Sequence, residues 1–239
     1  MAKKEYKTNF NQLINDMLSG KTFYDLIDWK RFVQKQSTVF IVVDAQNDIV
    51  HKDGNLNFTG TWKVCEELGF INNIKRIVAA CRKKEIPVIW VRQTFLAGGK
   101  DLFPGSYFEA LVSFLRTAIP DLMLGDTWNI EIVDELRAVM EPKDLVIDKR
   151  MWSTFEGTNL QTYLNYMGTK TIIACGTEID QCVEATIRSG WDRGYLSVLV
   201  SDASATANLE ITKLACARMG LMMAPVLDTN GVVELINSL

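Results

Sequence analysis

Residues 171–202 read TIIACGTEIDQCVEATIRSGWDRGYLSVLVSD. The opening run, Thr171-Ile172-Ile173-Ala174-Cys175, is apolar and β-branched, and Gly176 closes it, as expected of a strand buried on both faces. After the polar turn Glu178-Ile179-Asp180-Gln181, the apolar spacing becomes helical with Val183, Ile187 and Trp191. A second strand, Leu196 to Val200, ends at Ser201-Asp202. Strand, helix and strand in this order form the crossover unit of a parallel sheet. Cys182 falls where the end of a strand hands over to the first turn of a helix. Backbone N–H groups and the positive end of the helix dipole point at that position. A thiol there is expected to ionise more readily than a free cysteine. Without further evidence the same residue also reads as a half-buried structural cysteine.

The pattern extends outward from this unit. Ser37-Thr38-Val39-Phe40-Ile41-Val42-Val43 is a continuous apolar strand ending in Asp44, and continuous hydrophobicity marks a strand within a parallel sheet. Ile86 to Val91 and Asp144 to Lys149 are further strands, and Met222 to Pro225 reads as a short last one. Trp62 to Lys84 has the spacing of one long amphipathic helix. Residues 130–140, Gly157 to Met167, 206–219 and Thr229 to Leu239 read as shorter helices. The sequence therefore predicts a doubly wound, Rossmann-like α/β fold, a mostly parallel six-stranded sheet with helices on both faces. Residues 1–36, with helical spacing over Asn9 to Leu18 and Phe23 to Val33, are expected to form a helical arm before a single domain at 37–239. Residues 96–129, broken by Gly98-Gly99, Pro104-Gly105 and Pro120, read as an irregular excursion. Its Phe103, Tyr107, Phe108 and Trp128 are candidate substrate walls.

Composition narrows the function. A net charge of -3 over 239 residues, with 23% charged residues, offers no basic face for nucleic acid. No stretch has the length of a membrane span, and the N-terminus lacks an apolar signal core. Five cysteines without a CxxC pair argue against a disulfide framework and for a reducing, cytoplasmic setting. The one histidine, His51, excludes a multi-histidine zinc site. Neither a metal nor another cofactor is expected, so acid–base work falls to carboxylates or a lysine.

Asp44, Lys149 and Cys182 each stand at the C-terminal edge of the predicted sheet. Alone, each could be a solvated strand terminus. Together they make a coherent site: an acid to take the thiol proton, an ammonium to stabilise acid and thiolate, and a nucleophile beside helix-turn N–H groups. Such a set performs acyl transfer through a thioester.

Three motifs carry a family resemblance: Val42-Val43-Asp44-Ala45-Gln46-Asn47-Asp48, Lys149-Arg150-Met151-Trp152-Ser153-Thr154-Phe155-Glu156-Gly157-Thr158, and Gly176 through Cys182-Val183-Glu184-Ala185-Thr186. In this order and spacing the chain resembles the isochorismatase-like cysteine hydrolases from about Thr38 to Asn237. The resemblance implies that Asp44 is the base, Lys149 its partner and Cys182 the nucleophile. It also implies a cis peptide at Thr177–Glu178, with the backbone amides of Glu178 and Cys182 forming an oxyanion hole. Gln46, Gln93, Trp152 and Thr177 are the expected substrate contacts, Trp152 either stacking on a planar substrate or packing in the core. His51-Lys52-Asp53-Gly54-Asn55 cannot supply the metal motif of the family's nicotinamidases. Met151 replaces a frequent arginine, which weakens the case for a substrate bearing a carboxylate. Glu178 replaces a small residue, and its side chain either faces the pocket or is a helix N-terminal acid.

The implied activity is hydrolysis of a C–N bond in a small amide or carbamoyl (ureide) compound by a homo-oligomer, dimer or tetramer. A vinyl-ether hydrolase of the isochorismatase type and a non-catalytic binding protein are the alternatives.

Overall fold

The computed structural model describes residue 19 and residues 21–239. Six strands form one parallel sheet: β1 (Thr38–Val43), β2 (Val88–Gln93), β3 (Leu145–Lys149), β4 (Thr171–Thr177), β5 (Leu196–Ala205) and β6 (Val226–Leu227). Their order is β3-β2-β1-β4-β5-β6. The chain thus winds outward from β1 in one direction, then crosses back to β4 and winds in the other. The predicted doubly wound α/β fold is the one observed. The point where the order reverses lies between β1 and β4, whose C-terminal ends open the crevice in which such sheets bind ligands.

Alternation along each strand divides the core into two layers. Phe40, Val42, Val88, Trp90, Ile173, Cys175, Val198 and Val200 face the helices Phe70–Lys84 and Thr229–Asn237 through Ile74, Ile77, Cys81, Val232 and Ile236. Val39, Ile41, Val43, Ile89, Val91, Ile172, Ala174 and Leu199 face the helices Leu160–Tyr166, Glu184–Asp192 and Leu209–Met222 through Leu164, Ile187 and Met219. β1 is buried at every position, which is why its sequence is apolar without alternation.

Several element boundaries differ from the sequence reading, each for a local reason. The helix predicted over Trp62 to Lys84 is two, Thr61–Leu68 and Phe70–Lys84, split where Gly69 takes φ 68°. A left-handed residue with its N–H on preceding carbonyls ends a helix. The excursion at 96–129 contains a regular helix, Tyr107–Ala118, whose N-cap Ser106 accepts from the Glu109 amide at 3.1 Å. Pro104-Gly105 and Pro120 flank that helix and do not interrupt it. The predicted helix at 130–140 shrinks to Asp134–Arg137. The last strand falls at Val226–Leu227, after Met222–Pro225, because the preceding helix runs on to Met222.

Of the predicted N-terminal arm, Asn9 to Leu18 lies outside the described residues. Phe23 to Val33 forms a short helix, Phe23–Leu26, and a 3-10 turn, Trp29–Phe32. Trp29 and Val33 are buried in the first core layer, and the Tyr24 hydroxyl donates to the Met222 carbonyl at 2.7 Å. Among the described residues no helix is long and apolar enough to cross a membrane.

At the switch point β1 and β4 come too close for a side chain. Gly176 has φ 127°, and a Cβ there would stand 1.9 Å from the Val43 carbonyl oxygen. Gly176→Ala is therefore expected to lower unfolding stability by at least about 3 kcal/mol through this clash and the backbone conformation. Urea denaturation of the purified variant checks this, and a loss within 1 kcal/mol of zero contradicts it.

Candidate active site

Asp44 is the first residue past β1, Lys149 the last of β3, and Cys182 lies in the π-helical turn Ile179–Val183 that follows β4. β3 and β1 are not neighbours, because β2 runs between them. At roughly 4.8 Å per strand, about 10 Å separates the two strand ends, a gap only a long side chain spans. Lys149 spans it. Its Nζ stands 2.7 Å from Asp44 Oδ2 and donates to Cys182 Sγ at 3.2 Å. Gln93, the register partner of Lys149 at the end of β2, fills the gap between, and its Oε1 accepts from the same Nζ at 2.6 Å. Three predicted residues thus meet at one ammonium group, together with a fourth.

Asp44 itself is fixed by its backbone. It has φ 50°, its N–H donates to the Val91 carbonyl at 3.0 Å, and its carbonyl accepts from Thr177 Oγ1 at 2.7 Å. Aspartate tolerates the left-handed region better than most residues. The side chains of Asp44 and Lys149 are both 0% exposed. Burial alone favours a neutral amine at Lys149, but Asp44 and Cys182 beside it outweigh burial and hold its pKa above the ordinary lysine value. Burial pushes the Asp44 pKa up, and Lys149 partly opposes the shift.

Cys182 departs from the sequence expectation. Burial pushes its pKa up to about 12, with Lys149 pulling down and Asp44 pushing further up. The thiol is therefore held protonated at rest rather than pre-ionised by the helix end. Its proton has a nearby destination, since the thiol and the buried Asp44 carboxyl are hydrogen-bonding neighbours. The arrangement can pass a proton from sulfur to carboxylate while one ammonium attends both.

The expected substrate contacts divide. Gln46 is fully buried, and its amide is engaged on the β2 backbone: Oε1 accepts from Gln93 N at 2.8 Å and Nε2 donates to Gln93 O at 3.0 Å. Gln93 itself uses Oε1 on Lys149 and Nε2 on the Arg150 carbonyl at 2.8 Å. Thr177, also fully buried, uses its hydroxyl on Asp44. The polar groups of these three residues thus have partners within the site itself. Their polar groups sit one strand spacing from the groups they hold, a relation visible only once register is known. Trp152 is 52% exposed, so it is not a core residue and its face is open to a planar group.

The peptide Thr177–Glu178 is cis. The Glu178 side chain is not a solvated helix acid. Its Oε1 accepts from Thr61 Oγ1 at 2.8 Å, and its Oε2 is shut off from solvent, although the residue as a whole keeps some exposure. Burial pushes its pKa up to about 7, against the pull of Thr206 and Thr61.

The loop after β1 also anchors the excursion. Asp48, fully buried, accepts from the Met123 amide at 2.6 Å and the Asn55 amide at 3.2 Å. Asn47 Nδ2 donates to the Trp128 carbonyl at 2.8 Å. Of the four predicted walls, Phe108 packs edge-on against Phe95, while Phe103, Tyr107 and Trp128 are exposed. Among the described residues, no group of three or more His, Cys, Asp or Glu side chains is placed to hold a metal ion. A cleft of about 740 Å³ between Arg82, Pro87, Leu145 and Tyr163 lies at the opposite, N-terminal end of β2 and β3, away from these groups.

Comparison with known proteins agrees with the fold. Residues 38–231 match the model of the isochorismatase domain. A ureidoacrylate amidohydrolase (RutB) of Methylorubrum extorquens is 34% identical over 179 residues, covering 70% of this chain and 69% of the relative. A cysteine hydrolase from Pseudomonas syringae superposes with a TM-score of 0.73 at 24% identity, over 86% of this chain and 95% of the other. N-carbamoylsarcosine amidase from Thermoplasma acidophilum gives 0.61 at 24% identity, over 81% and 97%. At these identities the two structures show the shared fold.

The buried pair sets a stability test. Lys149→Met strands the Asp44 carboxylate and is expected to cost about 3–5 kcal/mol at pH 7, less as acid protonates Asp44. Adding Asp44→Asn should recover most of that loss. Denaturation curves that leave the double variant as unstable as the single one contradict the assignment.

Proposed function

The chain belongs to the isochorismatase family, and on that premise we propose that it is a cysteine-dependent amidohydrolase acting on a small amide or ureide. The observation that carries the reading is the Lys149 ammonium shared between Asp44 Oδ2 at 2.7 Å and Cys182 Sγ at 3.2 Å. A thiol held protonated needs a base within reach at the moment of attack, and this site holds one. A relative that acts as a ureidoacrylate amidohydrolase supports a carbamoyl or ureide group as the electrophile.

In the proposed cycle Asp44 takes the proton from Cys182, and the thiolate attacks the substrate carbonyl carbon. Lys149 keeps both anionic forms tolerable in a site without bulk water. The tetrahedral oxyanion lies against the backbone amides of Glu178 and Cys182, each such donor contributing about 3–4 kcal/mol where tested in other enzymes. Protonated Asp44 then gives its proton to the departing nitrogen, the C–N bond breaks, and ammonia or an amine leaves a thioester on Cys182. Asp44 next deprotonates a water molecule that attacks the thioester. The acid product leaves as the proton returns to sulfur. No step calls for a metal.

Two further parts belong to the proposal. Residues 37–239 form the catalytic unit, with the preceding residues as an arm. The enzyme works as a cytoplasmic homo-oligomer, for which the exposed Phe103, Tyr107, Leu111 and Phe114 of the excursion offer apolar contact surface.

Ammonia release from a panel of carbamoyl-amino acids, biuret, ureidoacrylate and nicotinamide tests the reading. Release from at least one ureide is expected, with Cys182→Ala reducing kcat by about 10⁴-fold or more and exhaustive EDTA treatment leaving the rate unchanged. Ammonia release that survives Cys182→Ala overturns the thioester route.

A further inference from the structure

Glu178 stands in the turn between β4 and Cys182, and its acid group is left over by the cycle above. Its carboxyl points to the helix Thr61–Leu68, taking a hydrogen bond from Thr61 Oγ1 at 2.8 Å. The other oxygen, Oε2, is sealed from solvent, and the Thr206 side chain is a second hydrogen-bonding neighbour of the carboxyl. Several groups face it from the elements packed around it. Thr61 and Cys65 come from that helix, Asp44 from the end of β1, Asp180 from its own turn and Thr206 from the end of β5. Asp180 and Asp44 both raise the cost of ionising it. The cation of the site, Lys149, is committed to Asp44, Gln93 and Cys182.

A carboxylate in such a place would add an unpaired negative charge beside a site that must itself generate a thiolate and an oxyanion. A neutral carboxyl keeps the Thr61 bond and adds none. We propose that Glu178 is a positioning residue that serves in its protonated form. Its neutral carboxyl holds the turn carrying the Glu178 and Cys182 amides against the helix Thr61–Leu68, and its ionisation disables the site. The inference rests on the amidohydrolase reading for its kinetic part only.

Its titration falls near neutrality, at about 7. Because the folded protein holds this proton over a range in which the unfolded chain, ionising near 4.5, has released it, stability drops as pH rises through that window. Above it the anion persists and the penalty is fully present. The same ionisation, a single proton, should lower kcat/KM about tenfold per pH unit on the alkaline side.

The test compares the parent protein with Glu178→Gln and Thr61→Val, using two readouts. In thermal unfolding between pH 5 and pH 8, the midpoint of the parent should fall relative to that of E178Q as pH rises. This needs no substrate. In kinetics, each profile being scaled to its own maximum, the parent should lose kcat/KM above about pH 7, and E178Q should hold its plateau at least one pH unit further. T61V, which removes a donor that favours the anion, should move the alkaline limb of the parent upward. Superimposable scaled profiles, or a midpoint difference independent of pH, overturn the role of Glu178. Absence of turnover in every protein, with the pH-dependent midpoint difference intact, overturns the amidohydrolase reading and leaves the buried acid established.

Discussion

The contact between Lys149 Nζ and Asp44 Oδ2, 2.7 Å apart and cut off from water, is the interaction on which the rest of the site depends. An ion pair in such a place is a poor way to stabilise a protein, because the desolvation of both partners offsets their attraction. Its value lies in what it imposes. The lysine must cross from an edge strand past β2 to reach its partner, so the sheet order and the register of Gln93 with Lys149 become conditions of the chemistry. The thiol then meets the same ammonium at 3.2 Å although its burial opposes ionisation.

Backbone constraints hold the other half of the geometry. Asp44 and Gly176 adopt positive φ at the ends of adjacent strands, and the Thr177 hydroxyl ties the two ends together. The backbone that carries the carboxylate is therefore held by main chain and by one buried hydroxyl. Gln46 does the same for β2 by pairing its amide with both backbone groups of Gln93. The result is a pre-organised site whose groups need little rearrangement before reaction, the condition under which fixed charges and dipoles act most strongly.

Much of this was legible in the sequence, for identifiable reasons. The runs ending in Asp44 and Thr177 are continuous and apolar, and such runs announce central parallel strands whose ends share one edge, while the run ending in Lys149 forms the half-exposed edge strand beside them. Elements without that pattern were misread. The helix Tyr107–Ala118 hides between Gly-Pro breakers that turn out to flank it, and Gly69 divides a helix whose apolar spacing continues across the break. The internal hydrogen bonds of Gln46, Gln93 and Thr177 are not legible in the sequence, because residue type and proximity in sequence do not disclose register. The protonated resting thiol was missed for a related reason: helix position argues for ionisation, and only burial decides otherwise.

The anchoring of the excursion by the loop after β1 has a consequence for how such a scaffold diversifies. Asp48 grips the Met123 amide and Asn47 the Trp128 carbonyl, so both clasps hold main-chain atoms. Neither reads the identity of the residue it holds. Outside Asp121, Trp128 and the buried Leu122, Asn129 and Ile130, which make side-chain contacts of their own, side chains along 121–130 can then be exchanged without loosening these two clasps. The chain separates an inheritable frame from a rewritable surface, and new ligand preferences can arise in the second while the first stays as it is.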